Sequence, residues 1–282
     1  MKYVGYYNGE IGPYEEMTIP MSDRSIYFGD GCYDATTFCN QHIFALNDHL
    51  DRFYNSCKLL EIEFKMSREE LTVELNKCIE ANECDHGMIY WQCTRGCGVR
   101  SHAFPPKEVK PNLLIISVPL ELVPFDTRAR LITMEDTRYE HCNIKTLNLI
   151  PNVMAAQRCV EKNCFETVFH RKGIVTECAH SNVLILKDGV LQTHELDNHI
   201  LPGVTLKHLL KLAPTVGLKT KIKAFTLDEL FNADEIIVSS SGGFCIGAYE
   251  IDGKAVGGKD HQSLVKLQQA YDEFYKRNIG LI

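Results

Sequence analysis

The stretch His141-Cys-Asn-Ile-Lys145-Thr-Leu-Asn-Leu-Ile150-Pro-Asn152 sets one lysine among apolar residues just before a helix start. Ile144, Leu147, Leu149 and Ile150 predict a buried segment, and an ammonium taken out of water loses hydration, which favours the free amine as nucleophile or base. That is the behaviour of a Schiff-base lysine. A surface lysine whose stem crosses an apolar patch reads the same way in isolation, so the rest of the chain has to decide.

Downstream, Pro151 suits the first turn of a helix running through Val153, Met154 and Val160 to about Lys162. Phe165 to His170 and Ile174 to Glu177 form a hairpin turning at Lys172-Gly173, and Glu177 leads into Cys178-Ala-His-Ser181-Asn182. The strand Val183 to Lys187 and a further strand follow, joined at Asp188-Gly189. His199-Ile-Leu201-Pro-Gly203-Val-Thr205 then opens a helix with Leu206, Leu209, Leu210 and Leu212 on its periodic face. The free backbone N–H groups and the Thr205 hydroxyl at its N-terminus suit a phosphate. Thr226 with Glu229 caps a short helix, and the strand Glu235 to Ser239 runs into Ser240-Ser241-Gly-Gly, whose hydroxyls and amides suit a second side of the same anion. A hairpin at Asp252-Gly253 and a helix from about Asp260 to Arg277 close the chain.

Upstream, residues 2–9 alternate like a strand, with Asn8-Gly9 as a hairpin signal. A Gly-Asp-Gly turn leads into an extended run carrying Tyr33. Leu50, Phe53, Tyr54, Cys57 and Leu60 recur at helical spacing between Asn47 and Phe64, with Asn47 or Asp48 as cap. Arg52 lies off that face near the helix start, where a cation opposes the dipole and suits an external anion. Ser67 and Glu70 form a capping box for a second helix to about Asn82. After the strand Gly87 to Cys93 comes a polar loop in which Arg100 and His102 project to one side and can grip a carboxylate. Asn112 to Leu120 is another strand. Pro119 through Pro124 is the best linker, giving a domain 1–120 and a domain 121–282. The strand Ala129 to Glu135, followed by Asp136-Thr-Arg138, leads to the lysine stretch.

With 282 residues, 45% hydrophobic and 24% charged, the composition is globular, and a net charge of -7 argues against nucleic acid or an anionic membrane as partner. The first residues lack a signal peptide's apolar run and no later run approaches the ~20 residues needed to cross a bilayer, so a cytoplasmic protein is expected. Twelve cysteines are scattered from Cys32 to Cys245 without a C-x-x-C pair, so no metal site is signalled and free thiols are expected.

An aromatic aldehyde bearing a phosphate, pyridoxal 5'-phosphate on Lys145, accounts for these parts together. Its ring withdraws electrons while the ring nitrogen is protonated, which needs a carboxylate such as Glu177. The residues that carry this reading, Phe28-Gly-Asp-Gly-Cys-Tyr33, His49-Leu-Asp-Arg52, Thr94-Arg-Gly, Arg100-Ser-His102-Ala-Phe-Pro, Cys142-Asn-Ile-Lys145-Thr-Leu-Asn, Val175-Thr-Glu177, Ser181-Asn182 and Leu201-Pro-Gly-Val-Thr205, resemble those of the fold-type IV pyridoxal-phosphate enzymes over nearly the full length. Within them, the Arg-x-His loop is most similar to the D-amino-acid aminotransferases.

The resemblance implies an α/β (α+β) fold of two domains, a small N-terminal α/β domain and a larger C-terminal strand-rich pseudo-barrel with helices. It makes Lys145 the attachment and proton-transfer lysine and Glu177 the partner of the ring nitrogen. Arg52, Val204, Thr205, Ser240 and Ser241 become phosphate ligands, with Leu201 behind the ring. Tyr33, Arg100 and His102 hold the substrate carboxylate, while Arg138 and Glu166 match positions near the cofactor. It further implies transamination between D-alanine, D-glutamate or D-aspartate and a 2-oxo acid, in a homodimer. A branched-chain L-aminotransferase or an aminodeoxychorismate lyase would share Lys145 and Glu177, and a silent metabolite-binding protein is the non-enzymatic alternative. The chain departs from the pattern at Asp34, at Cys178, Ala179 and His180, and at Leu206.

Overall fold

The computed structural model describes residues 2–282, which form two compact units. One takes the chain up to Glu121 together with Ile144–Asn148 and Asn278–Leu281. Here β1 (Val4–Tyr7) and β2 (Glu10–Pro13) make the hairpin expected at Asn8-Gly9, whose φ angles of 48° and 104° are those of a tight turn. Then come α1 (Arg24–Phe28), β3 (Gly31–Cys39), β4 (His42–Ile43), α2 (Leu46–Leu59), α3 (Arg68–Glu80), β5 (His86–Thr94) and β6 (Asn112–Pro119). The strands line up as β2-β1-β6-β5-β3-β4, each antiparallel to its neighbours. The apolar faces of α2 and α3 close over the sheet in a core containing Phe38, Phe53, Leu71, Leu75 and Trp91.

The capping box at Ser67 and Glu70 is present at the start of α3. The start of α2 differs from the expected Asn47 or Asp48 cap. Ala45 takes that place with φ 49°, and its N–H donates to Asn278 Oδ1 at 2.8 Å, a partner that no local pattern can announce. The helix stops at Leu59, short of Phe64, because Glu61 turns left-handed at φ 54°.

A cut between residues 120 and 121 assigns Lys145 to the later part of the chain, whereas Ile144–Asn148 packs with the earlier one. The cause is backbone pairing with β3. Tyr33 N donates to Lys145 O at 2.9 Å, Leu147 N donates to Gly31 O at 3.1 Å, and Cys32 bridges Thr146. Such an extended segment buries alternate residues, so Ile144 and Thr146 are buried, whereas Ile150, expected inside, opens α4 and is 73% exposed.

The other unit comprises Leu122–Asn143, Leu149–Arg277 and Ile282. Its elements are β7 (Arg128–Glu135), α4 (Ile150–Glu161), β8 (Glu166–Arg171), β9 (Ile174–Cys178), β10 (Asn182–Lys187), β11 (Val190–Thr193), α5 (Val204–Leu212), β12 (Lys219–Ile222), β13 (Phe225–Thr226), α6 (Leu227–Asn232), β14 (Glu235–Ser239), β15 (Ile246–Ile251), β16 (Lys254–Ala255) and α7 (His261–Asn278). Pro151 sits in the first turn of α4, and Thr226 with Glu229 boxes the start of α6. The sheet runs β12-β11-β10-β14-β15-β7-β8-β9-β13, with β16 added on β15.

That order forces curvature. β9 and β10 stand five places apart, about 24 Å across a flat sheet at ~4.8 Å per strand. Yet Cys178 to Asn182 reaches at most about 14 Å even when extended, and Cys178 N donates to Ser181 O at 2.8 Å. The sheet therefore curls into the strand-rich pseudo-barrel expected, around Val168, Val183, Ile185, Phe225, Ile236 and Val238. No described helix is long and apolar enough to cross a membrane. All twelve cysteines are free thiols.

Candidate active site

In the first unit, β3 alternates its side chains, so Tyr33 and Asp34 face opposite ways. Tyr33 is half-buried on the side of the lysine segment: Lys145 Nζ donates to its hydroxyl at 3.3 Å and lies 4.3 Å from the ring centroid. The Lys145 N–H donates to Ser56 Oγ on α2 at 3.3 Å. Backbone on one side and a hydroxyl on the other thus fix where the amine stands.

Asp34 is fully buried and meets α2. Arg52 Nε donates to its Oδ2 at 2.8 Å and Nη2 to its Oδ1 at 2.7 Å, while His49 Nδ1 lies 2.7 Å from Oδ1. His49 and Arg52, three apart, share one helix face. Burial works to raise the Asp34 carboxyl, but Arg52 and His49 outweigh it and hold the group below the ordinary carboxylate range. Burial also lowers His49, ahead of the opposing pull from Asp34. The anion at Nε and Nη2 of Arg52 is thus an internal carboxylate, where the sequence suggested an external one.

In the second unit, Glu177 near the end of β9 is 5% exposed. It accepts from Arg138 Nη1 on Oε1, and from Asn182 Nδ2 at 2.9 Å and Leu201 N at 3.0 Å on Oε2. Burial pushes its carboxyl up to about 7 against the opposing effect of Arg138. Arg138 is shared: Nε and Nη2 donate to Asp136 at 3.0 and 2.9 Å. Asn182 also donates to Leu201 O at 2.9 Å, and a Cβ on Gly203 would sit 2.0 Å from Asn182 Oδ1, so only glycine lets the chain pass. One asparagine therefore positions both the glutamate and the entry to α5.

The start of α5 has Gly203 as N-cap with no side-chain cap, and Val204 and Thr205 are buried in its first turn. Thr205 Oγ1 is buried without a hydrogen-bond partner. An orphaned hydroxyl beside uncapped amides is costly unless an anion completes it, so these residues fit a phosphate group. Ser240 and Ser241 follow β14 and are half-buried, Ser240 Oγ accepting from Gly243 N at 3.1 Å. Leu201 is half-buried. Glu166 accepts from Ser181 Oγ at 2.6 Å, and His180 Nδ1 lies 2.8 Å from it. Cys178, Ala179 and Leu206 are buried.

Arg100 and His102 are exposed. The Arg100 guanidinium lies 5.3 Å from the Phe28 ring centroid, and the His102 ring packs 5.1 Å from the same ring. Among the described residues, no hydrogen bond or ring contact joins either to Tyr33 or Lys145. His102 does line a cavity of about 260 Å³ with Phe28, Thr146 and Asn148, so the loop is within reach of the lysine's neighbours. Sequence reading missed the supporting roles of Asp34, His49, Asp136 and Asn182. The available signals were the His49-x-x-Arg52 spacing and Asp136 two residues before Arg138.

The architecture has counterparts among solved structures. The branched-chain amino acid aminotransferase of Escherichia coli matches with a TM-score of 0.85 over 96% of this chain and 94% of that one, at 19% identity. That of Thermoproteus uzoniensis matches at 0.86 over 98% and 95%, at 20% identity. At such identities the likeness establishes the fold, that of the fold-type IV aminotransferases. The amino-transferase class IV family matches residues 31–251, and the chain belongs to that family. It is 35% identical to a D-alanine aminotransferase of Staphylococcus aureus (strain MSSA476) over 95% of this chain and 96% of the relative. To a D-alanine aminotransferase of Listeria monocytogenes (serotype 1/2a, strain 10403S) it is 36% identical over 97% and 96%. The protein is an aminotransferase.

Proposed function

We propose that this aminotransferase uses pyridoxal 5'-phosphate to move an amino group between D-amino acids, in the range of D-alanine, D-glutamate and D-aspartate, and 2-oxo acids. The observation that carries the chemistry is the amine of Lys145 held 3.3 Å from the Tyr33 hydroxyl. The D preference rests on the D-alanine aminotransferase relatives, similar along almost the whole chain.

When bound, the cofactor supplies an electron-withdrawing ring that stabilises the charge left on the substrate's α-carbon. Lys145 would be the attachment point for the cofactor's aldehyde and, with its Nζ free, the group that moves the substrate's α-proton, with Tyr33 orienting that nitrogen. Glu177 would face the ring nitrogen and keep it protonated, with Arg138 and Asn182 holding its oxygens in place. Val204, Thr205, Ser240 and Ser241 would hold the phosphate, with Leu201 behind the ring, and Arg52, whose Nε and Nη2 are set by Asp34, is a further candidate phosphate ligand. Tyr33 with the exposed Arg100–His102 loop holds the substrate carboxylate.

A homodimer fits an apolar stripe on α4, where Ile150, Val153, Met154 and Val160 are 73%, 59%, 50% and 73% exposed. Free thiols fit a reducing cytoplasm. The deciding experiment is an absorbance spectrum before and after D-alanine, with release of the matching 2-oxo acid measured for D-alanine, L-alanine and L-leucine in the presence of 2-oxoglutarate as acceptor. A cofactor band that shifts with D-alanine only, and is lost in Lys145→Ala, is the expected result. Turnover of L-leucine alone would transfer the assignment to a branched-chain enzyme.

A further inference from the structure

We propose that His194, Asp197 and His199, in the loop between β11 and α5, bind a divalent transition-metal ion of the zinc class. One donor atom from each residue lies within 4.8 Å of the others. His199 Nδ1 is 3.0 Å from Asp197 Oδ2, and the two imidazole rings stand 6.2 Å apart at 78°. Donors sharing one tetrahedral zinc stand about 3.4 Å apart, so small side-chain rotations close the set. Asp197 and His199, with side chains 39% and 29% exposed, have room for them.

His194 is different: it is 5% exposed, and its Nδ1 lies 2.9 Å from Glu195 O, a backbone contact that fixes the ring and leaves Nε2 as the nitrogen that can ligate. Two imidazoles and one carboxylate select zinc, nickel or cobalt over the hard ions calcium and magnesium, and leave the fourth position for water. The spacing His-x-x-Asp-x-His contains no cysteine, which is why a search for thiolate pairs passes over it. The loop also borders the machinery of Glu177. His199 O accepts from Arg138 Nη2 at 3.2 Å, and two residues on Leu201 N donates to Glu177. An occupied site braces that stretch.

The test titrates chelator-treated holoprotein with cobalt(II) and zinc(II), following visible absorption beyond the cofactor band and heats of binding. Expected is one ion per chain, no thiolate charge-transfer band, and an affinity at least tenfold weaker in both Asp197→Asn and His199→Ala. Metal-free melting curves matching wild type certify that both variants are folded. Thiolate bands, equal affinity in the variants, or no binding by wild type would each overturn the proposal.

Discussion

In the first unit Asp34 takes two nitrogens of Arg52 and a contact from His49, whereas in the second Arg138 is divided between Asp136 and Glu177. Both clusters bury an acid against an arginine. In the first, Arg52 on both oxygens together with His49 outweighs burial and fixes the acid's charge, while in the second burial outweighs a shared arginine and brings Glu177 to about 7. A fixed anion can only orient something, whereas an acid near 7 can exchange a proton at working pH.

The contrast breaks most visibly at Asp34. Asp34→Ala strands a buried guanidinium and should lower the unfolding free energy by about 3–5 kcal/mol in a denaturant titration. A loss below about 1 kcal/mol would mean that the arginine reaches solvent and that the pair is not a lock.

Next in size is the pH dependence of the cofactor-free protein, where the two acids act in opposite senses. Glu177 has its folded value raised from 4.5 to about 7, so the folded state binds the extra proton. Its contribution is full below about 4.5 and is lost as pH rises to about 7, on the order of 3 kcal/mol. Asp34 is depressed below its ordinary 3.8, so its contribution is present above that value and disappears only in stronger acid. Melting curves across pH 4.5 to 7.5 should show the decline in wild type and a flatter profile in Glu177→Gln.

Tyr33→Phe sharpens the same comparison through activity. Removing a hydroxyl that meets an amine costs about 1.5 kcal/mol, roughly a tenfold fall in kcat with little change in melting temperature. The smallest effects are at the two capping boxes. Ser67→Ala and Thr226→Ala should each cost about 1 kcal/mol in chemical unfolding, with activity retained.

Both boxes were legible because a cap and its glutamate lie three residues apart, and the strands around Lys145 and Glu177 were legible from alternation and turn residues. What stayed hidden depends on distance along the chain or on weak local patterns. Ala45 caps α2 only because Asn278 arrives from 233 positions away. The strand β12 carries Lys219-Thr-Lys-Ile222, exposed throughout, and exists by pairing with β11. Ile150 looked buried from its apolar neighbours but lies on the outward side of α4. For the site, residue types were readable and partners were not: Arg52 needs an anion, and nothing in the spacing of 18 residues says that Asp34 is one.

Because Ala45 depends on Asn278, and β3 depends on Ile144–Asn148, the unit that is made first on the ribosome is the one completed last. Its sheet can assemble early, but the turn that opens α2 and the clasp around Lys145 await chain synthesised much later. A nascent polypeptide halted after residue 121 should therefore be loose at the α2 end and along β3, and active protein should emerge only after Asn278 has been added.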